Sequence, residues 1–173
     1  MGLAAALLGA QPGRAGDTSL EYAVKATFLY KFAPFVEWPS SAFDQPGSPF
    51  VLCIVGNDPF AESVEKTVAI QHVGDHPVVL RRLAVADGKA GCHVMFVGGS
   101  QGQTVAQALD AVRGSPTLTV TDSGAAAPGI VQFVVLGGRV NFDIDTAAAA
   151  ANHLTISSKL LALAHGVNQG ERR

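Results

Sequence analysis

Residues 21–39 read EYAVKATFLYKFAPFVEWP, and they decide the fold of this chain more than any other stretch. They hold six aromatic residues out of a total of nine Phe, two Tyr and one Trp. The preceding Thr-Ser-Leu-Glu at 18–21 has the form of a capping box, which predicts that a helix starts there. Two apolar rows at helical spacing continue it: Leu20, Val24 and Phe28, and Ala23, Ala26 and Tyr30. Pro34 lacks an N–H and disfavours helical geometry at the residue before it, so the helix is predicted to end or kink there.

The alternation of strands and helices downstream predicts an α/β fold. Apolar runs predict strands at residues 50–56, 78–85, 92–97, 117–121, 130–136 and 139–145. Helices are predicted at residues 57–68, 103–113 and 146–164. Because strand–helix–strand units cross over with right-handed connections, we predict a three-layer α/β sandwich with a mainly parallel sheet and helices on both faces. The two-residue turn Gly137-Gly138 predicts that the last two strands form an antiparallel hairpin at one edge.

Length and composition indicate one globular domain. A chain of 173 residues is long enough to bury its own core. A hydrophobic content of 48% with 15% charged residues is typical of folded rather than disordered proteins. A net charge of −2 gives no electrostatic reason to expect a nucleic-acid partner. We predict a single domain over residues 17–166, flanked by a leading segment at 1–16 and a tail at 167–173.

The leading segment has the features of a secretory signal. Residues 3–10 read LAAALLGA and are followed by a zone of small residues, as at a cleavage site. An Ala-rich tail or an extra helix is the alternative interpretation. Eight apolar residues are too few to span a bilayer, so an exported protein without membrane insertion is expected.

Cys53 and Cys92 are the two cysteines of the chain. In an exported protein an even number of cysteines suggests a disulfide. The alternative is that both side chains are small buried hydrophobic groups. A disulfide would also leave no free thiol to act as a nucleophile.

A glycine-rich loop is the first candidate for ligand binding. Gly98, Gly99, Ser100 and Gln101 follow a predicted strand and open a helix, where free N–H groups and the helix dipole favour anions. The loop has neither a P-loop lysine nor dinucleotide-binding spacing, so a flexible connection is the alternative. Together with residues 122–124, this edge of the sheet supports the hypothesis of a small-molecule-sensing domain.

Catalytic and metal sites are weakly indicated. Asp143 and Asp145 alternate with apolar residues, so they share one strand face, where two carboxylates can serve as acid and base. A solvated strand face is the commoner explanation, and a hydrolase is kept only as a remote alternative. His72, Asp75 and His76 form a possible loop metal site but lack zinc-helix spacing. We therefore predict no catalytic residue, no metal and no cofactor.

A partner contact is the site that the residues indicate most strongly. Phe35, Val36 and Trp38 lie beyond the predicted kink, and aromatic residues are enriched among binding anchors. A lid over the core explains the same residues. Arg139 starts the strand after the hairpin turn, and it is a candidate either for a partner contact or for a structural pair with Asp143 or Asp145.

Both ends of the chain resemble the YfiR-like family of periplasmic regulators. At the start the resemblance rests on residues 21–39, quoted above. At the end it rests on GIVQF at 129–133, GRVNFDID at 138–145 and LTISSKLLALA at 154–164. The resemblance therefore covers residues 21 to 164, with specific motifs at the two ends and a weakly patterned middle.

The resemblance implies a function and several partners. It implies a non-enzymatic periplasmic protein that represses an inner-membrane diguanylate cyclase by binding its periplasmic sensor domain. Such repression lowers cyclic di-GMP and biofilm formation. The resemblance also implies a homodimer and a disulfide at Cys53 and Cys92. The second cysteine pair known from the family has no counterpart here, so a redox switch at that pair is not implied.

Overall fold

The structure is a computed structural model that describes residues 15–170, and side chains from Thr18 onward. The signal-like segment at 3–10 lies outside the described residues. Among the residues described, no helix is both long and apolar enough to cross a membrane.

In the part of the chain that the structure describes, ten strands form one large and one small sheet. The strands are β1 (Val36–Glu37), β2 (Phe50–Gly56), β3 (His72–Val73), β4 (His76–Leu83), β5 (Val94–Gly99), β6 (Leu118–Thr121), β7 (Val131–Leu136), β8 (Arg139–Asp145), β9 (Thr155–Ile156) and β10 (Gly166–Asn168). The large sheet has the order β10-β8-β7-β6-β5-β2-β4-β3, and β1 pairs with β9 in a separate ribbon. Within the large sheet only the β3–β4 and β7–β8 pairs are antiparallel. The predicted mainly parallel sheet with a late antiparallel hairpin is confirmed. The hairpin is not the edge itself, because β10 pairs in parallel outside β8.

Helices cover both faces of the large sheet. They are α1 (Ala15–Lys31), α2 (Ser63–Val68), α3 (Val105–Ala111), α4 (Thr146–Ala151) and α5 (Ser158–Leu161), with short 3-10 turns at Ala33–Phe35 and Ser40–Ala42. Residues of α1, α2, α4 and α5 pack in the larger apolar core on one face. Residues of α3 pack in a second core on the opposite face. These two cores on opposite faces confirm the three-layer sandwich.

The first helix differs from its prediction in start and in buried face. It already includes Ala15, the first residue that the structure describes, so residues 18–21 lie inside the helix and are not its cap. Leu20 and Val24 of the predicted apolar rows are exposed. The buried stripe instead runs through Lys25, Leu29 and Phe32, at spacings of four and three. The helix ends at Lys31, before Pro34, as predicted.

The predicted closing helix at 146–164 is wrong. It is divided into α4, β9 and α5, because the backbone turns at His153, whose φ is +59°. The buried Asn152 fixes this break, since its Nδ2 donates to Thr117 O (2.9 Å) and its Oδ1 accepts from Gly114 N (2.9 Å). An amide side chain that bonds distant backbone competes with helical continuation. Ser157 then caps α5, accepting from Leu160 N.

The second helix is also shorter than predicted. A helix over 57–68 was expected, but α2 begins at Ser63. Asp58 Oδ1 accepts from Phe60 N (2.8 Å), which closes a turn instead of the first turn of a helix.

A buried ionic network attaches α1 to the sheet. Lys25 is completely buried, and its ammonium pairs with Glu21 and with Asp122 Oδ1 (2.5 Å), just after β6. Tyr22 donates its hydroxyl to the other oxygen of Asp122 (2.9 Å). Burial, with the hydrogen bond to Asp122, raises the pKa of Tyr22 to about 12. The ammonium also lies 5.8 Å from the centre of the Phe133 ring. The middle of α1 is therefore held by charge as well as by apolar packing.

The disulfide lies in the smaller core. Cys53 of β2 is bonded to Cys92, which lies two residues before the start of β5. Both residues are buried among apolar side chains of the face that α3 covers. The bond therefore links two neighbouring segments of the sheet at the base of that core.

Candidate partner-binding site

The segment after α1 is packed onto the closing part of the chain. The 3-10 turn Ala33–Phe35 leads into β1, where Val36 pairs with Ile156. Phe35 is half-buried, and its carbonyl accepts from Ser157 N (2.9 Å). Val36 is buried, so it is not available to a partner in this conformation.

Trp38 lies against the core with its indole half-buried. Its ring meets Phe50 edge-on at a centroid distance of 5.4 Å and an interplanar angle of 88°. Its Nε1 is buried and has no hydrogen-bond partner among the described residues. This packing agrees with the interpretation of Trp38 as a lid over the core.

Beside Trp38 the aromatic rings stack in a column. Phe43 lies between His76 and His93, with ring centroids 4.3 and 4.5 Å away, and His93 stacks on Phe50 at 4.8 Å. Val51 N donates to His93 Nδ1 (3.0 Å), so the proton of the neutral ring lies on Nε2 and is donated to Ala42 O (2.8 Å). Burial lowers the pKa of His93. A neutral histidine therefore fastens the loop after Trp38 to the start of β2.

Trp38→Ala is expected to lower the free energy of unfolding by about 3–5 kcal/mol, because it empties the space beside Phe50. The matched variant Trp38→Phe keeps an aromatic ring and removes the unpartnered N–H, so we expect a loss below about 1 kcal/mol. Chemical denaturation of the three proteins measures both values. Equal stability of wild type and Trp38→Ala would mean that the indole does not pack on the core.

The hairpin of β7 and β8 presents a different kind of surface. Only two residues of β7 pair with β6, so the end of the hairpin extends past its neighbour. Val135 and Leu136 there are 37% and 45% exposed. Arg139 is exposed and stands directly opposite Leu136, so their side chains share one face of the hairpin. Sequence reasoning missed the two apolar residues because they continue an apolar run, at 133–136, that is typical of a buried strand.

Arg139 does not make the structural pair considered from the sequence. Asp143 pairs with His165 Nδ1 (2.9 Å). Asp145 caps α4 by accepting from Ala148 N (2.8 Å) and also accepts from Asn168 Nδ2 (3.0 Å). Within residues 18–170 Arg139 takes part in no ion pair. The two carboxylates considered for acid–base chemistry have these structural partners.

The glycine-rich loop is used for backbone packing. A Cβ on Gly98 would lie 1.9 Å from Asn57 O, so only glycine fits against the loop after β2. Asn57 N donates to Gly99 O (2.8 Å), and Ser100 N donates to Gln103 O (2.8 Å). Gln101 is exposed in this turn. Close backbone contact with the loop after β2 thus explains the glycine at position 98, and ligand binding at this loop stays a prediction.

The histidine group considered as a metal site lies on the β3–β4 hairpin. His76 Nδ1 lies 2.6 Å from Ser48 O, a contact that orients the ring towards Phe43. In the described part of the chain, no group of three or more His, Cys, Asp or Glu side chains is placed to hold a metal ion.

The sandwich, its late hairpin and its bridged cysteines define a class of small α/β domains that contain a disulfide. A family model described as YfiR/HmsC-like matches residues 22–165, and the chain belongs to this family. A comparison with curated proteins found no match. The family consists of periplasmic proteins known as regulators rather than catalysts.

Proposed function

We propose that this protein is a non-enzymatic periplasmic repressor of an inner-membrane diguanylate cyclase. It binds the periplasmic sensor domain of the cyclase and lowers cyclic di-GMP and biofilm formation. The observation that carries the proposal is the family match over residues 22–165, which includes both ends of the folded domain.

The proposed contact surface is the tip of the β7–β8 hairpin, with Leu136 and Arg139 on one face and Val135 on the other. Arginine is enriched among the residues that contribute most at protein interfaces. Exposed valine and leucine side chains add apolar area that is favourable to bury when a partner removes water from them. Arg139 is free to pair with a carboxylate of the partner, since it has no ion pair within residues 18–170. The segment with Phe35, Val36 and Trp38 packs on the larger core. We propose no direct partner contact for Val36, because it is buried.

The resemblance also supports a homodimer, which we include in the proposal. Sedimentation of the purified protein over a range of concentrations measures its mass. A monomer at every concentration would contradict this part alone.

A cell experiment tests the proposed function. Deleting the gene is expected to raise the level of cyclic di-GMP and surface attachment. Expression of the wild-type protein in the deletion strain is expected to return both to their original levels. The double variant Leu136→Ala with Arg139→Ala is expected to fold normally and to fail in repression. The matched control is Ile70→Ala with Arg113→Ala, which removes one exposed apolar side chain and one exposed arginine elsewhere.

The two possible failures differ. Unchanged cyclic di-GMP after deletion contradicts the function. Normal repression by the hairpin variant contradicts the contact surface and leaves the function standing.

A further inference from the structure

We propose that a cavity beside the disulfide binds a small oxyanion, that is, a ligand carrying a carboxylate or phosphate group. The cavity has a volume of about 460 Å³. It lies at the amino-terminal edge of the sheet, between the loop before β2 and the loop before β5. Cys92 is part of its lining.

The charges at this cavity favour an anion. Arg81 and Lys89 both line it, and neither forms an ion pair with another described residue. Arg81 Nη1 donates to Ala90 O (3.0 Å), so the guanidinium is fastened to the loop while its other N–H groups stay available. The neighbouring Arg82 shows the contrast, since it is paired with both Asp58 and Glu65. Two unpaired cations therefore face one cavity.

Neutral donors lie beside the cations. Gly91 and Cys92 line the cavity, and their backbone N–H groups donate to no other described residue. Consecutive free N–H groups near a residue of positive φ, which is +67° at Gly91, are a common anion-binding arrangement. Ser41 and Ser48 also line the space, and each has a hydroxyl that can donate a hydrogen bond. An oxyanion can therefore accept hydrogen bonds from charged and uncharged donors together.

One carboxylate at the cavity repels an anion, so the proposal predicts the direction in which its removal changes the affinity. Asp44 lines the cavity and forms no ion pair within the part of the chain that the structure describes. Its negative charge weakens the binding of any anion. Neutralising Asp44 must then strengthen binding, whereas neutralising Arg81 or Lys89 must weaken it.

Calorimetric titration of the purified protein in a low-salt buffer tests the site, with inorganic phosphate and succinate as separate probes. Saturable binding of at least one probe is expected, and it should weaken as sodium chloride is added. We expect Arg81→Gln to weaken binding about tenfold and Asp44→Asn to strengthen it about threefold. Binding of only one of the two probes identifies whether the cavity accepts phosphates or carboxylates.

The control is Arg113→Gln, which removes an exposed arginine outside this cavity and is expected to leave binding unchanged. Circular dichroism confirms that each variant is folded. If Arg81→Gln is not folded, Lys89→Gln on the exposed loop tests the contribution of the other cation at the cavity. Three results would overturn the site: no saturable binding of either probe, equal losses in Arg81→Gln and Arg113→Gln, or weaker binding in Asp44→Asn. None of them depends on whether the protein represses a cyclase.

Discussion

Replacing Lys25 by methionine is expected to lower the free energy of unfolding by about 3–5 kcal/mol, the usual cost of removing one partner from a buried ionic group. The methionine fills most of the volume of the lysine stem, so the loss comes from charge rather than from a cavity. Asp122 and Glu21 would keep their negative charges close together beside the Tyr22 hydroxyl, with no cation between them. Denaturant unfolding followed by circular dichroism measures the change.

Lys66→Met is the matched control for this variant. Lys66 forms an i,i+4 pair with Glu62 in which both side chains are more than three-quarters exposed. A pair of this kind contributes only about 0.3–0.5 kcal/mol. If Lys25→Met were as stable as Lys66→Met, the buried network would not hold α1 to the sheet.

Removing the disulfide in the variant Cys53→Ala with Cys92→Ala is expected to cost about 4 kcal/mol, by the chain-entropy estimate for a loop of this length. The two cysteines are 39 residues apart in sequence. For a domain of this size, the loss corresponds to a fall in melting temperature of about 10 °C. Differential scanning calorimetry of the double variant measures this fall.

Reducing agent supplies the control for the disulfide. It should lower the melting temperature of the wild type and leave that of the double variant unchanged. Peptide mapping of protein purified from the periplasm should show Cys53 and Cys92 linked. Two free thiols in that preparation would contradict the bond.

Much of the fold follows from local sequence patterns. The runs at 50–56 and 139–145 predict β2 and β8 with their observed bounds, because strongly apolar or alternating segments next to glycine have few other conformations. The closing helix was predicted wrongly since Ala-rich sequence has high intrinsic helix propensity. Asn152 overrides that propensity through bonds to residues 35 and 38 positions away, which no local pattern contains.

The sites were harder to predict for the same reason. Lys25 interrupts an apolar helix stripe four residues after Glu21, and this spacing is a usable signal of a buried pair. The second ion-pair partner of Lys25, Asp122, is brought close only by the fold. The exposure of Leu136 depends on how far β7 extends beyond β6, which is a property of strand register. The cavity near Arg81 likewise joins three loops that are distant in sequence.

The rate of cyclic di-GMP synthesis by a full-length cyclase in lipid nanodiscs tests the central claim most directly. The cyclase would come from the same organism and carry a periplasmic sensor domain, and purified protein would be added at increasing concentration. We predict a saturable fall in the rate with wild-type protein and with the Ile70→Ala, Arg113→Ala control, and little fall with the Leu136→Ala, Arg139→Ala variant. A rate unchanged by saturating wild-type protein, for every such cyclase of the organism, would contradict the proposed repression.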